Sequence, residues 1–292
     1  MIHSKKKGSD TMSFEELLEL AQEGNIVAQA QLGADYLFGK GTPQDSEKAI
    51  YWLTKAAEQG DAFSQYNLGL TYTDGVTDVP KNIEKAVYWY TKAAEQDDAG
   101  AQNNLAGLYT NDTDMPQDLA KAAYWLTRAA ENGHAKAQYS LGLFYDHGNG
   151  VPKDHEKSFA WYLKAAEQEH AKAQFEVGYA YNHGMGVAQD LDKAIYWYSQ
   201  SAASGFYNAQ HNLAQFYAEG AGVSQDLDKA VSLWSKAANQ GYAPSQVNLG
   251  VAYYNGTGIA QDVEKAVSWW FKAAELGSED AKRILAQFVD NE

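Results

Sequence analysis

One residue returns along this chain at a nearly fixed interval: Gln29, Gln65, Gln102, Gln138, Gln174, Gln210 and Gln246, separated by 36, 37, 36, 36, 36 and 36 residues. A period of that length, kept over most of 292 residues, dictates a stack of similar units rather than one globular core. Each unit is too small to bury its apolar face alone and must do so against its neighbours. The one extra residue falls in the turn from Gly75 to Pro80, because Gln65 to Trp89 is one longer than Gln29 to Trp52.

Around each Gln the pattern is helical. One position before it stands a small residue (Ala28, Ser64, Ala101, Ala137, Ala173, Ala209, Ser245). Three after it comes Leu32, Leu68, Leu105, Leu141, Val177, Leu213 or Leu249, and seven after it Tyr36, Tyr72, Tyr109, Tyr145, Tyr181, Tyr217 or Tyr253. Spacings of four put the three on one stripe of a helix, with the small residue permitting close approach. Glycine pairs such as Gly184-x-Gly186 and Gly220-x-Gly222 then supply positive φ for a turn. In the second repeat Gly75 stands alone, and in the third Asn111-Asp112-Thr113-Asp114 takes the glycines' place. A second helix opens on Asp45, Asn82, Asp118, Asp154, Asp190, Asp226 or Asp262, each followed three residues later by Lys. As N-caps these residues are worth about 0.5–2 kcal/mol apiece, and the acidic ones also oppose the helix dipole. The second helix carries Ala and Trp three apart, as in Ala49/Trp52 and Ala194/Trp197, and closes on paired alanines.

The ends read as caps. Ser13-Phe14-Glu15-Glu16 fits a capping box, opening an N-terminal capping helix over 13–24. Repeats fill 25–277, and 278–292 is a C-terminal capping helix that keeps Ala281 and Leu285 in phase. Residues 1–12 read as a disordered tail, so 13–292 is expected to form a single solenoid.

A net charge of −15 argues against a nucleic-acid surface, which needs concentrated Lys and Arg, and favours a neutral or basic partner. With no cysteine there is no disulfide, thiolate zinc site or Cys nucleophile. Lys5-Lys6-Lys7 is followed by no apolar run and no stretch reaches the ~20 apolar residues of a membrane span. The expectation is a cytoplasmic monomer that binds neither membrane nor nucleic acid.

The run Ala-x-x-x-Leu-Gly-x-x-Tyr, then Gly-x-Gly-Val, then Asp-x-x-Lys-Ala-x-x-Trp-Tyr-x-Lys-Ala-Ala-Glu-x-Gly, closely resembles the Sel1-like repeat family, a cousin of the tetratricopeptide repeats. The resemblance covers about seven units. It implies an all-α fold, an αα-superhelix (solenoid) of helix-turn-helix repeats with first helices lining a concave face. It also implies an adaptor or scaffold role. Some secreted members of that family carry a disulfide in each repeat; this chain has no cysteine, which argues against that branch.

Recurring Tyr and Trp read as core, so function is sought where repeats differ. Offsets of one, five, eight and nine residues after each Gln lie opposite the Ala–Leu–Tyr stripe. That face carries Tyr66 and Leu70; Tyr139, Leu143, Asp146 and His147; Phe175, Tyr179, Asn182 and His183; His211; and Val247, Val251 and Tyr254. An apolar, aromatic strip edged by polar groups has the composition of a recognition surface. Tyr139, Phe175 and Tyr179 are the expected anchors for a protein or peptide partner in the concave groove. The alternative is that neighbouring first helices bury these side chains. His147 and His183, in equivalent places of consecutive repeats, read as helix-end polar residues about 10 Å apart, too far to share an ion. His134, His155 and His170 read as solvated residues in turns or at helix ends. Asn67, Asn104, Asn212 and Asn248 share one place, with Ser140 and Glu176 standing in for it elsewhere. Such an amide ladder holds either a bound peptide's backbone or a neighbouring helix. No nucleophile–base pair, metal set or phosphate loop emerges, so no catalytic residue and no cofactor is expected. The leading expectation is a non-enzymatic interaction scaffold. The rivals are an inhibitor or immunity-type protein for one basic enzyme, and a hydrolase of cell-wall fragments.

Overall fold

The computed structural model describes residues 13–76, 78–111 and 114–289, with side chains through Gln287. Asp112 and Thr113 of the third-repeat turn, the expected tail 1–12 and residues 290–292 lie outside the described residues. The described chain is helical throughout, with no strand beyond an isolated Val76–Val79 bridge.

The helices group into two compact units, one ending at Ala137 and the other beginning at Gln138. The first holds α1 (Phe14–Gln22), α2 (Ile26–Phe38), α3 (Ser46–Glu58), α4 (Ala62–Asp74), α5 (Ile83–Glu95), α6 (Ala99–Asn111) and α7 (Leu119–Glu131). Helix α8 (Ala135–His147) contributes its residues from Gln138 onward to the second unit. There follow α9 (His155–Glu167), α10 (Ala171–His183), α11 (Leu191–Ala203), α12 (Tyr207–Glu219), α13 (Leu227–Asn239), α14 (Ala243–Asn255), α15 (Val263–Glu275) and α16 (Glu279–Val289). Each unit is a row of helix hairpins laid side by side, the arrangement of an all-α solenoid.

Three interlocks explain the recurring residues. The first is glycine four places after the marker Gln, where the two helices of a hairpin cross. A Cβ on Gly69 would fall 2.4 Å from the Tyr90 ring and one on Gly142 2.5 Å from Tyr162, so only hydrogen fits. The second is the motif Asp-x-x-Lys. Asp45 caps α3 by accepting from the Lys48 amide at 2.9 Å, and that amide, then the ammonium, holds its carboxyl below the usual range. The Lys48 ammonium sits 3.0 Å from Asp45 and 5.3 Å from the centre of the Tyr36 ring, so one lysine ties the cap to the first helix. The same lysine–tyrosine stacking recurs in all seven repeats.

The third interlock is the marker glutamine. Its amide donates to an alanine carbonyl at the end of the preceding second helix: Gln29 to Ala21, Gln65 to Ala57, Gln102 to Ala94, Gln174 to Ala166, Gln210 to Ala202 and Gln246 to Ala238, at 2.9 to 3.3 Å. Its oxygen accepts from the residue closing the next second helix, as Gln59 donates to Gln29 and Gln240 to Gln210. Where that closing residue is Ser204 or Leu276 the oxygen of Gln174 or Gln246 is buried without a partner. Replacing Leu276 by Gln should supply the missing donor and stabilise the second unit by about 1 kcal/mol. Urea unfolding followed by circular dichroism checks it, an unchanged or lower midpoint contradicting the ladder.

Ser13 and Glu16 make both bonds of a capping box, at 3.2 and 2.9 Å, and Ala281 of α16 is fully buried.

Candidate functional site

The strip opposite the core stripe divides into a wedged row and an open row. In the first unit Tyr66 and Leu70 are half-buried against the core, with the Tyr66 ring centre 6.0 Å from that of Tyr90. In the second unit Tyr139 stacks on His170 at 4.9 Å and lies 5.8 Å from Tyr162. Burial, with the neighbouring Glu176 charge, pushes its hydroxyl up to about 12. Phe175 is held between Phe206, at 5.3 Å, and Tyr198, at 5.6 Å. Val247 is half-buried and its carbonyl accepts the Trp270 indole N–H at 3.2 Å. Apart from Leu70, these residues follow the marker Gln directly. The residue capping or opening the next first helix reaches back over them, so Tyr139 and Phe175 join repeats as well as edging the strip.

His211 corrects the reading most. It is 8% exposed, its Nδ1 lies 2.8 Å from the Ser245 hydroxyl, and its ring meets Tyr242 edge-on. Burial alone drives its pKa down to about 4, so the ring is neutral near pH 7 and belongs to the packing between α12 and α14. The open row holds Tyr179, Val251 and Tyr254, at 38, 38 and 41% exposure, with exposed His147 and His183 at the helix ends. Leu143 and Asn182 are half-buried beside it. Asp146 lies 3.6 Å from His147 and Asn182 3.3 Å from His183. Among the described residues no cluster of three or more His, Asp or Glu is placed to hold a metal ion.

Two hollows open on this face of the second unit. The larger, about 1030 Å3 of empty space partly open to solvent, runs between α12 and α14 over α13. Leu227, Val231 and Val251 give it apolar walls, and Gln215, Asn248 and Asn255 edge it with amides. The indole N–H of Trp234 is enclosed in this wall without an acceptor. The asparagine ladder therefore divides. Asn67 donates to the Phe63 carbonyl of its own helix, Asn104 donates to the Tyr90 hydroxyl, and Asn248 faces the hollow.

The smaller hollow, about 330 Å3, is bounded by α8, α9, α10 and Met185 beyond them. Here the histidines keep their expected places in turns and at helix ends but not their expected solvation. His155 opens α9 with its side chain 37% exposed, and its Nδ1 lies 2.8 Å from Asp146 Oδ1 inside this hollow. His134 and His170 are half-buried caps whose Nδ1 atoms accept from the amides of Ala137 and Ala173, both at 3.2 Å. Glu176, read only as a stand-in on the ladder, is half-buried in the hollow's wall. Burial first, and the Asp146 charge second, push its carboxyl up to about 7. Tyr162 is 5% exposed, and its hydroxyl, with Ser158 one helical turn away, makes no well-formed hydrogen bond. Burial raises its pKa strongly. The signal in the sequence was the departure of one repeat pair from the rest. Glu176 replaces Asn, Ser158 replaces Ala, and His155 stands where other second helices open on Ser, Ile, Leu or Val.

The model of the Sel1 repeat matches residues 26–61, 62–98, 99–134, 135–170, 171–206, 208–242 and 243–278. The chain belongs to the Sel1 repeat family. Among solved structures, a Sel1 repeat protein from Oxalobacter formigenes is 35% identical over 94% of this chain and 79% of its own, with a TM-score of 0.79. The c5321 protective antigen of uropathogenic Escherichia coli, which displays an SLR fold, is 32% identical with a TM-score of 0.89, covering 95% of this chain and 59% of that one. Among curated proteins, the ERAD-associated E3 ubiquitin-protein ligase component HRD3A of Arabidopsis thaliana is 36% identical over 72 residues, 24% of this chain and only 11% of that protein. Sel1 repeat proteins are in general protein-interaction scaffolds and typically not enzymes. No described helix of this member is long and apolar enough to cross a membrane.

Proposed function

We propose that this Sel1 repeat protein is a non-enzymatic scaffold whose second unit holds an extended peptide segment of a partner along its first-helix face. The observation that carries the reading is the hollow between α12 and α14: apolar walls edged by amides, with the Trp234 N–H shielded from water and lacking an acceptor. An extended peptide matches both halves of that surface. Its side chains cover Val251 and Val231, and its carbonyls meet the amide donors of Asn248 and Gln215 at the hollow's edge. Because the hairpins are already ordered, little entropy is lost on the scaffold's side.

Panning a random peptide library against the folded protein tests the proposal. Peptides enriched on the wild type should bind Val251→Glu at least about tenfold more weakly, the loss expected for a central contact. Binding to Tyr51→Ala, on an exposed second-helix position outside the hollow, should be unchanged. Equal binding to wild type and Val251→Glu overturns the reading. The net charge of −15 supports a second form of it, an inhibitor drawn to one basic enzyme. Its mark is an association rate that falls steeply with added salt.

A further inference from the structure

The smaller hollow joins groups that ordinary repeat packing does not need. Asp146 comes from the end of α8, His155, Ser158 and Tyr162 from α9, and Glu176 and Tyr179 from α10. Two carboxyls sit in one partly enclosed space, and no lysine or arginine lines it. Behind them the almost wholly buried Tyr162 hydroxyl makes no well-formed hydrogen bond. Five other repeats carry an amide at the Glu176 place, Gln31, Asn67, Asn104, Asn212 and Asn248.

We propose that this hollow receives the guanidinium of an arginine side chain on the partner, between the carboxyls of Asp146 and Glu176 and against the ring of Tyr179. The inference rests on the reading that this face binds a polypeptide, and it names one residue of that polypeptide. Arginine fits better than lysine because its five donors are spread over a plane. Here the acceptors are spread likewise: two carboxyls, the Tyr162 hydroxyl and the Ser158 hydroxyl. His155 holds one oxygen of Asp146 and leaves the other turned towards the exposed His147. The half-exposed Tyr179 offers a ring face on which a guanidinium stacks.

Binding is coupled to a proton. Glu176 meets Asp146 and Tyr139 from α8, His155 and Tyr162 from α9, Tyr179 on its own helix and Tyr198 from α11; of these, Asp146 is the charged neighbour that raises it. With its pKa near 7, Glu176 is largely protonated below neutrality. When the guanidinium enters, the Glu176 O–H bond breaks, the proton leaves to solvent and the carboxylate pairs with the cation. The sign follows. Binding displaces a proton below pH 7, so affinity rises with pH up to about 7 and levels off above it.

The test is an NMR titration of the full chain with N-acetyl-L-arginine amide between pH 5 and 8.5, observing His155 and Tyr162. Affinity should tighten by nearly tenfold per pH unit at the acid end of that range, the slope of one displaced proton. N-acetyl-norleucine amide should move neither resonance. Glu176→Gln, which installs an amide as in other repeats, should fold, bind at least about tenfold more weakly and lose the slope. His155→Gln should keep the slope, which separates Glu176 from repulsion by a protonated imidazole. The proposal is overturned if His155 and Tyr162 do not respond to the arginine probe, or if the slope survives Glu176→Gln. A silent pocket in a chain that still binds panned peptides refutes this inference alone. Equal binding of those peptides to wild type and to Val251→Glu refutes the broader reading instead.

Discussion

Gly142→Ala should destabilise the second unit by about 2–3 kcal/mol, while Gly107→Ala should stabilise the first by about 0.5–1 kcal/mol. The two glycines both lie inside first helices, so helix propensity favours alanine at each by about 1 kcal/mol. What differs is the space. A Cβ on Gly107 meets nothing within 4 Å, whereas one on Gly142 lands 2.5 Å from two carbons of the Tyr162 ring. That ring cannot swing aside, because Tyr162 is 5% exposed and packs in one cluster with Ala165, Ala166 and Val177. The hairpin must open at its crossing point, and the strain outweighs the gain in propensity. The third repeat carries Ala106 at the glycine place and Leu126 at the tyrosine place. Urea midpoints of the two variants, moving in opposite directions from wild type, are the measurement. Movement in the same direction would remove the crossing as the reason for glycine.

Most of the fold was legible because it is written seven times. The interval of the glutamines, the Asp caps and the glycine turns each correspond to an observed contact, and repetition separates them from coincidence. The site was harder to read, for a physical reason. Periodicity assigns a direction around a helix but not the reach of the adjoining turn. Tyr139, Phe175 and His211 lie off the Ala–Leu–Tyr stripe by their spacing, yet His170, Phe206 and Tyr242 at the heads of the next first helices lie on them. The pairing of Asp146 with His155 crosses the turn between α8 and α9, nine residues along the chain, and no helical period relates the two. Glu176 was visible as a departure from asparagine. Its altered acidity comes from burial, which depends on the fold of three helices together.

Gln102→Leu should cost about 2 kcal/mol, and Gln246→Leu, at the equivalent place, well under half of that. Both side chains are buried and both donate to an alanine carbonyl, at 3.0 and 3.1 Å. Gln102 also accepts from Asn132 at 3.3 Å and reaches Asp97 at 3.4 Å, so its loss leaves a buried carbonyl and an amide with fewer partners. Gln246 has no donor for its oxygen because Leu276 closes the following helix. Replacing it removes one hydrogen bond and, at the same time, one enclosed oxygen that was already unpaired. An isosteric apolar replacement costs little when the polar group it removes was poorly served. Leu276→Gln, by completing the pair, should raise the cost of Gln246→Leu towards that of Gln102→Leu, and the double variant therefore closes a thermodynamic cycle. A coupling near zero between positions 246 and 276 would mean that the glutamine ladder marks the repeat without binding one hairpin to the next.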